Sequence, residues 1–200
     1  MAITYTSRKG FTYTLCKGTT KTGKLRYYFS REPKGEVVEQ LPAGYKITES
    51  VNGIVSLTKD VPSKIRADEW VAVQQVLKRH PHATKYQLHL RPDRIQVYEA
   101  MGPSIDELVE DFGKSWLLVP DFDSARAQRL REEDERCTQY WTVMQFILVD
   151  EVTRRYQAER WNYRGSIDGW MGVDRLDTIS ALAERLIPKL GTDAFFELYR

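Results

Sequence analysis

The chain has 200 residues, of which 42% are hydrophobic and 29% are charged, and its formal net charge is +2. This composition is that of a globular protein and excludes a chain that is disordered throughout. The longest apolar run, Val143 to Val149, is far shorter than the roughly 20 residues that span a bilayer. The segment Met1 to Gly10 lacks the apolar stretch of a secretory signal peptide. We therefore expect a cytoplasmic protein without a membrane-spanning helix.

The charged residues are unevenly distributed along the chain. Residues 1–100 carry 17 Lys or Arg against 9 Asp or Glu, whereas residues 101–200 carry 13 against 19. In residues 1–35, eight basic side chains face a single acidic residue, Glu32. Such a basic segment attracts polyanions or acidic partners through its summed field, although the near-neutral whole chain argues against a general nucleic-acid coat.

The N-terminal region is predicted to consist of β-strands joined by tight turns. Phe11 to Cys16 alternates apolar residues with Thr, and Leu25 to Ser30 is a run of aromatic residues. The turn sequence Thr20 to Lys24 lies between them, which predicts a first β-hairpin. Gly35 to Leu41 adds a short strand before Pro42 and Gly44 break the chain.

A second hairpin is predicted around Asn52-Gly53. Tyr45 to Val51 leads into this pair and Ile54 to Thr58 leads out of it. Asn-Gly is the residue pair that a two-residue type I′ turn requires.

The middle of the chain changes to a helical period. Ala67 to Arg79 places its apolar residues at 3.6-residue spacing and is followed by Pro81, which predicts an amphipathic helix packed on a sheet. Tyr86 to Leu90 and Arg94 to Tyr98 are predicted to form two strands joined by a proline-containing turn. Ser104, with Glu107 as its capping-box partner, predicts the start of another helix.

The second half is predicted to contain a central hairpin between helices. Ser124 to Arg136 has few apolar positions and predicts a solvated or bridging helix. Tyr140 to Val149 is apolar on both faces, as in the interior of a sheet, and Arg154 to Tyr163 can pair with it. Leu176 to Leu190 predicts a helix that ends at Gly191, and a short helix through Phe195, Phe196 and Leu198 follows.

The blocks of strands and helices predict an α+β fold, a mainly antiparallel sheet with packed helices. An N-terminal β-hairpin region is followed by mixed blocks of strands and helices. The connection Leu117 to Asp123, which contains Pro120, divides a basic, β-rich region with helices (1–116) from an acidic region with a central hairpin and terminal helices (117–200). One domain overall is the alternative.

Two motifs lack the context that their chemistry needs. Gly18 to Lys24 has the spacing of a phosphate-binding P-loop, but Leu25 replaces the magnesium-binding Ser or Thr and an aromatic strand follows instead of a helix. The segment is therefore interpreted as a basic hairpin turn. The histidines form no closed ligand set, and His80 is interpreted as a residue at a helix C-terminus. Cys16 and Cys137 are isolated, so neither a disulfide nor a thiolate metal site is predicted, and no cofactor is assigned.

The basic hairpin is the first candidate contact surface. Cations beside exposed aromatic side chains are the chemistry with which proteins bind single-stranded nucleic acid. Core aromatics beside a solvated turn are the alternative. The residues assigned to this surface are Lys17, Lys21, Lys24, Arg26, Tyr27 and Tyr28.

A second candidate surface lies in the segment 160–170, which is rich in residue types that dominate binding hot spots. Its assigned residues are Arg160, Trp161, Arg164 and Trp170. The alternative is a strand end and a loop whose tryptophans pack under the last helices.

The acidic residues Asp150, Glu151 and Glu159, with Arg160 as the cation, resemble in type the residues of a metal-dependent phosphodiester hydrolase. A salt-bridged surface is the alternative. No residue is assigned as catalytic and no metal ligand is assigned.

The charge asymmetry favours a non-catalytic binding or accessory protein, whose basic N-terminal β-region contacts nucleic acid or an acidic protein surface. The hydrolase is one alternative. The other is a protein-protein interaction module that forms a homo-oligomer through Trp161 and Trp170.

Overall fold

A computed structural model of the chain describes residues 1–103, 107, 124–162 and 168–198. In this part of the chain the strands are β1 (Thr4–Thr6), β2 (Thr12–Thr19), β3 (Leu25–Ser30), β4 (Glu36–Val37), β5 (Tyr45–Glu49), β6 (Val55–Lys59), β7 (Tyr86–Leu90), β8 (Arg94–Ala100), β9 (Tyr140–Asp150), β10 (Arg155–Asn162) and β11 (Gly169–Gly172). The helices are α1 (Ala67–Lys78), α2 (Ser124–Cys137), α3 (Ile179–Leu186) and α4 (Asp193–Phe196).

Every strand pair is antiparallel, so the predicted α+β fold with mainly antiparallel sheet is confirmed. The predicted helix that begins at Ser104 and the connection Leu117 to Asp123 lie outside the described residues. No described helix has the length and apolar character needed to cross a membrane.

The chain folds as two compact units. The first unit comprises Met1–Asp60 and Gly102–Gln139, and the second comprises Val61–Met101 and Tyr140–Arg200. The predicted division between residues 116 and 117 falls outside the described residues and stays a prediction. Strands from both sides of it, β8 and β9, are paired in the sheet of the second unit.

The first unit is built around strand β2. One edge of β2 pairs with β3, and the other pairs with β1 and β4. Strands β5 and β6 form a separate hairpin. The buried apolar side chains of this unit, within the described residues, are Leu15, Cys16, Val38, Val51 and Val55.

Three hairpin turns of the first unit share one hydrogen-bond pattern. In each turn, a Ser or Thr N–H donates to the carbonyl four residues on, and a glycine N–H donates back to the carbonyl of that Ser or Thr. Gly23 and Gly53 have φ of +76° and +73°, a conformation that glycine adopts without steric cost. Ser/Thr-x-x-Gly therefore marks a three-residue loop with glycine at its last position. The turns span Ser7–Phe11, Thr20–Lys24 and Ser50–Ile54.

The hairpin predicted at Asn52-Gly53 is confirmed, but the predicted two-residue type I′ turn is wrong. Glu49 lies opposite Val55, and the Ser50 N–H donates to the Ile54 carbonyl, so the loop proper has three residues, 51–53. A type I′ turn needs a positive φ at both central positions. Among the described residues other than glycine, Arg154 alone has a positive φ, which excludes that conformation for Asn52.

The second unit is a five-stranded sheet in the order β11-β10-β9-β8-β7. Strand β9 lies at its centre, as its mainly apolar residues on both faces predicted. Helices α1 and α3 pack on one face, where the apolar side chains of the strands meet the helices. Representative members of this buried cluster are Val73, Leu77, Ile95, Phe146, Tyr156, Leu182 and Leu186.

The predicted helix from Leu176 to Leu190 is shorter than expected. Asp177 forms an isolated bridge with Tyr156, which keeps the chain extended there, and the Thr178 side chain caps α3 by accepting from the Ala181 N–H at 3.4 Å. Past α3 the chain tightens into a 3₁₀ turn, Ile187–Lys189, in which Pro188 has no N–H for an α-helical hydrogen bond.

Candidate functional site

The basic hairpin, residues Thr12 to Ser30, consists of β2, its turn and β3. Residues directly opposite each other in an antiparallel pair share a face. Lys17 lies opposite Tyr27, and Gly18 lies opposite Arg26. Lys17 and Tyr27 therefore share one face, while Arg26 and Tyr28 lie on the other.

Guanidinium groups stack on aromatic rings at two places in this region. The Arg26 guanidinium carbon lies 5.0 Å from the centroid of the Tyr28 ring, and that of Arg31 lies 4.8 Å from the centroid of the Phe11 ring. Both distances are within the range of cation-π attraction. Phe11 is 46% exposed. The stacked pairs thus combine a π-face and a positive charge at the surface.

The Tyr28 ring occupies space that two glycines leave open. A Cβ on Gly18 would contact the ring at 3.4 Å, and a Cβ on Gly35 would come within 2.5 Å of the Tyr28 hydroxyl oxygen. A side chain at either position would crowd the ring, and at Gly35 it would also clash with the Lys17 carbonyl. The two glycines therefore make room for the ring that lies beside the Arg26 guanidinium.

The cations of the region differ in whether a carboxylate neutralises them. Lys17 Nζ lies 2.7 Å from the Glu36 carboxylate, whose hydrogen bond and charge raise the pKa of Lys17. Four other cations have no carboxylate within ion-pair distance among the described residues; they are Lys21, Lys24, Arg26 and Arg31. Residues 1–31 contain no Asp or Glu at all. A local excess of positive charge results.

A shallow depression of about 560 Å³ adjoins the end of β3 and is lined by Ser30, Arg31, Glu32 and Lys34. Lys34 Nζ lies 3.9 Å from a Glu32 carboxylate oxygen. The positive charge of Lys34, one of the two cations that line the depression, is therefore partly neutralised. The guanidinium of Arg31 remains available to an anion at this position.

The segment Gly18 to Lys24, which has the residue spacing of a P-loop, contains a hairpin turn. Gly23 closes the three-residue loop, and strand β3 follows it. A P-loop instead leads into a helix whose N-terminal amides hold phosphate. The interpretation as a basic hairpin turn is confirmed.

The residues of the second candidate surface lie in different environments. The rings of Trp161 and Trp170 form a cross-strand, edge-to-face pair with centroids 5.3 Å apart. Arg160 is 2% exposed and donates to the carbonyl of Phe196 at 2.9 Å. Its guanidinium thus stabilises the end of α4, and we leave it out of the contact surface. Arg164 lies outside the described residues.

The candidate hydrolase carboxylates are engaged in separate structural contacts. Asp150 accepts hydrogen bonds from Thr153, through its hydroxyl and its N–H, and from the Val152 N–H, and these bonds lower its pKa. Glu151 pairs with Lys64. Glu159 lies opposite Gln145, about five strand residues or roughly 16 Å from Asp150. The described residues contain no group of three His, Cys, Asp or Glu placed to hold a metal ion.

His80 is an interior residue that joins two elements. It is 7% exposed. Its Nδ1 accepts from the His82 N–H at 3.1 Å, and its Nε2 lies 3.2 Å from the Leu190 carbonyl. Because Nδ1 accepts, Nε2 carries the hydrogen that reaches Leu190.

A polar ladder on the second unit's sheet was missed by sequence reasoning. On the face opposite α1 and α3, Gln96 donates to Gln145, and Gln145 donates to Glu159 at 2.8 Å. Gln145 is 2% exposed, and its amide is satisfied on both sides. The signal in the sequence is a single Gln within the apolar run of β9.

Comparisons of the chain with protein-family models, with curated proteins and with solved structures find no match.

Proposed function

We propose that the protein is a non-catalytic, cytoplasmic accessory protein that binds single-stranded nucleic acid through the basic hairpin and the adjoining Arg31. The observation that supports this most strongly is the combination of four cations that lack carboxylate partners in the described structure with two guanidinium-aromatic stacks. Proteins that bind single strands without sequence preference use this pairing of a positive surface with aromatic platforms.

The two ends of the surface have different roles in this proposal. Lys21 and Lys24, exposed at the turn, contact phosphates as mobile point charges. Arg26 and Arg31 lie on aromatic rings, where a planar guanidinium offers a stacking face to an unpaired base. A duplex keeps its bases stacked inside, so it engages the lysines but gains nothing from the stacks.

The test is a fluorescence-anisotropy titration of labelled dT20, U20 and a 20-base-pair DNA duplex at two salt concentrations. We expect the single strands to bind more tightly, because they alone reach the stacks. The double variant Lys21→Glu with Lys24→Glu should weaken binding to dT20. It should also reduce the slope of log K against log salt by about 0.7 for each lost phosphate contact.

A charge-matched control is the double variant Lys78→Glu with Arg175→Glu, both on exposed residues of the second unit. It changes the net charge by the same amount, and we expect the salt slope to stay that of the wild type. If both double variants lost the same amount of affinity for dT20, the effect would come from the net charge of the protein and not from the basic hairpin. That result would overturn the proposal. Absence of binding at low salt would also overturn it and favour an acidic protein surface as the partner.

The homo-oligomer predicted through Trp161 and Trp170 stays a prediction. The same preparations run over a light-scattering column measure it directly, and a monomer mass at all concentrations would exclude it.

A further inference from the structure

The second unit contains an open groove between helix α1 and the edge strand β7. Its volume is about 340 Å³, within the range of roughly 300–1,000 Å³ found for binding pockets. The apolar wall is formed by Trp70, Leu77, Tyr86 and Leu88, and the polar side chains Gln74 and Lys78 lie on the helix side.

Strand β7 borders this groove with backbone groups that have no strand partner among the described residues. Within the part of the chain that the structure describes, β7 pairs with β8 alone. The Arg91 N–H donates to the Arg94 carbonyl at 2.9 Å, and hydrogen-bonded and non-hydrogen-bonded pairs alternate from there. The backbone of His89 therefore faces β8, while the N–H and C=O groups of Leu88 and Leu90 face away from it. In the described structure no backbone or side-chain group bonds them.

The edge at β7 carries none of the features that usually block strand addition. Its sequence, Tyr-Gln-Leu-His-Leu, has no Lys, Glu or Pro, its pairing with β8 is regular, and Leu90 is 40% exposed. Natural sheets protect their edges with charges, prolines or bulges. The opposite edge, β11, has four residues, of which two are glycine. Strand β7 is therefore the edge of this sheet that can accept another strand.

We propose that β7 and α1 form a docking site for an extended peptide segment of a partner protein. The segment adds to the sheet as a sixth strand, its backbone pairs with Leu88 and Leu90, and its alternate apolar side chains enter the groove. This is recognition by β-strand addition, in which the backbone supplies affinity and the pockets supply specificity.

The charge of the groove defines the peptide further. Lys78 is exposed on α1, and the described residues that line the cavity include no Asp or Glu. Lys78 has no carboxylate partner among the described residues. A peptide that carries an Asp or Glu, or its own C-terminal carboxylate, beside its apolar residues is therefore favoured over a basic one.

The test starts from a library of random nonapeptides displayed on phage and selected against the full chain. We expect enrichment of sequences with apolar residues at alternate positions and at least one acidic residue. The best sequence is then synthesised with a fluorescein label and in two N-methylated forms. One form is methylated at the odd backbone nitrogens and the other at the even ones. Only every second N–H of the peptide faces β7 and donates a hydrogen bond to it, and methylation removes that donor. The form methylated at those nitrogens should therefore bind at least about tenfold more weakly, while the other form binds nearly as the parent peptide does.

Two measurements on the protein locate the binding site. The Leu88 and Leu90 amides should exchange hydrogen more slowly when the parent peptide is bound. Lys78→Glu should weaken peptide binding several-fold, whereas Arg175→Glu, a matched change at an exposed residue outside the groove, should leave it unchanged.

Failure to enrich any sequence, equal loss of affinity with both methylated forms, or protection elsewhere in the chain would each overturn the proposal. Dimerisation that the peptide abolishes would assign the edge to a second copy of this chain and would overturn it as well. The basic hairpin is unchanged in these variants, so the outcome is independent of nucleic-acid binding.

Discussion

A buried ion pair fixes the turn that leads into β10. Arg154 donates to Glu69 through both Nε, at 2.8 Å, and a terminal nitrogen. The side chains are 16% and 10% exposed. Arg154 has a φ of +53°, a conformation that costs a residue with a Cβ about 1–2 kcal/mol. The paired hydrogen bonds offset this cost and join the turn to α1.

The ion pair with Arg154 depends on the ionised carboxylate of Glu69. Burial acts to raise the pKa of Glu69, but hydrogen bonds from Arg154 and from the Arg66 N–H outweigh it, so the pKa lies below its ordinary value of 4.5. A carboxyl whose folded pKa is lowered adds stability above its unfolded pKa, and this stability is lost as pH falls through the folded value.

Glu69→Gln should therefore lower the free energy of unfolding by about 3 kcal/mol at pH 7, since it leaves the Arg154 charge without its partner. Urea denaturation of both proteins between pH 7 and pH 3 measures the difference. We expect the difference to be constant above pH 5 and to shrink below about 4.5, where the Glu69 carboxyl of the unfolded chain takes up a proton while that of the folded protein is still ionised. A difference that stays the same at pH 3 would show that the charge of Glu69 contributes nothing.

At the scale of elements, the Ser/Thr-x-x-Gly turns set the geometry of the basic hairpin. Gly23→Ala should destabilise the protein by about 1–2 kcal/mol, because alanine strains at the positive φ of this position. Gly23→Asn should cost less, since Asn tolerates this conformation. Gly169→Ala is the control, because Gly169 has open space around it and no positive φ. Thermal unfolding ranks the three variants, and an equal cost for Ala and Asn at residue 23 would contradict the turn geometry.

The elements that the sequence predicted well are those with a strong local pattern. The period of α1 and the apolar run of β9 identify both elements to within one or two residues. The turn at Gly53 was harder, because its length depends on the strand register that places Glu49 opposite Val55. The start of α3 depends on the bridge between Tyr156 and Asp177, a contact between distant parts of the chain.

In the candidate site, too, the features that depend on local sequence were predicted and those that depend on distant contacts were not. The cations and aromatics of the basic hairpin follow from composition and alternation. The stacking of Arg31 on Phe11 and the close approach of Tyr28 to Gly35 join residues from different strands and loops. The burial of Arg160 does not follow from its place next to Trp161 in the sequence, because it depends on hydrogen bonds to the carbonyls of Phe196 and Leu198 near the end of the chain.

At the scale of the whole molecule, the buried apolar residues that the structure describes are unequally divided between the two units. The cluster in the second unit contains nineteen described residues, whereas the described part of the first unit buries five. Burial of apolar area is the main favourable term in folding. The described strands of the first unit, which carry the proposed nucleic-acid contacts, thus have less apolar burial to hold them than the central strand of the second.

Native-state hydrogen exchange should show this inequality directly. Amides of Met144 and Phe146 lie in the central strand β9 and belong to side chains that are fully buried. We expect them to exchange by global unfolding and to be the slowest in the protein. Amides of Leu15 and Cys16 in β2 should exchange more than about tenfold faster after correction for intrinsic rates, because fewer of the described buried apolar side chains lie in their unit and partial opening exposes them first. Addition of dT20 should slow exchange in β2 and β3 by mass action, as binding to the folded form alone stabilises it. Equal protection of β2 and β9 without the oligonucleotide would mean that the two units open together, and the division of stability argued from their cores would be wrong.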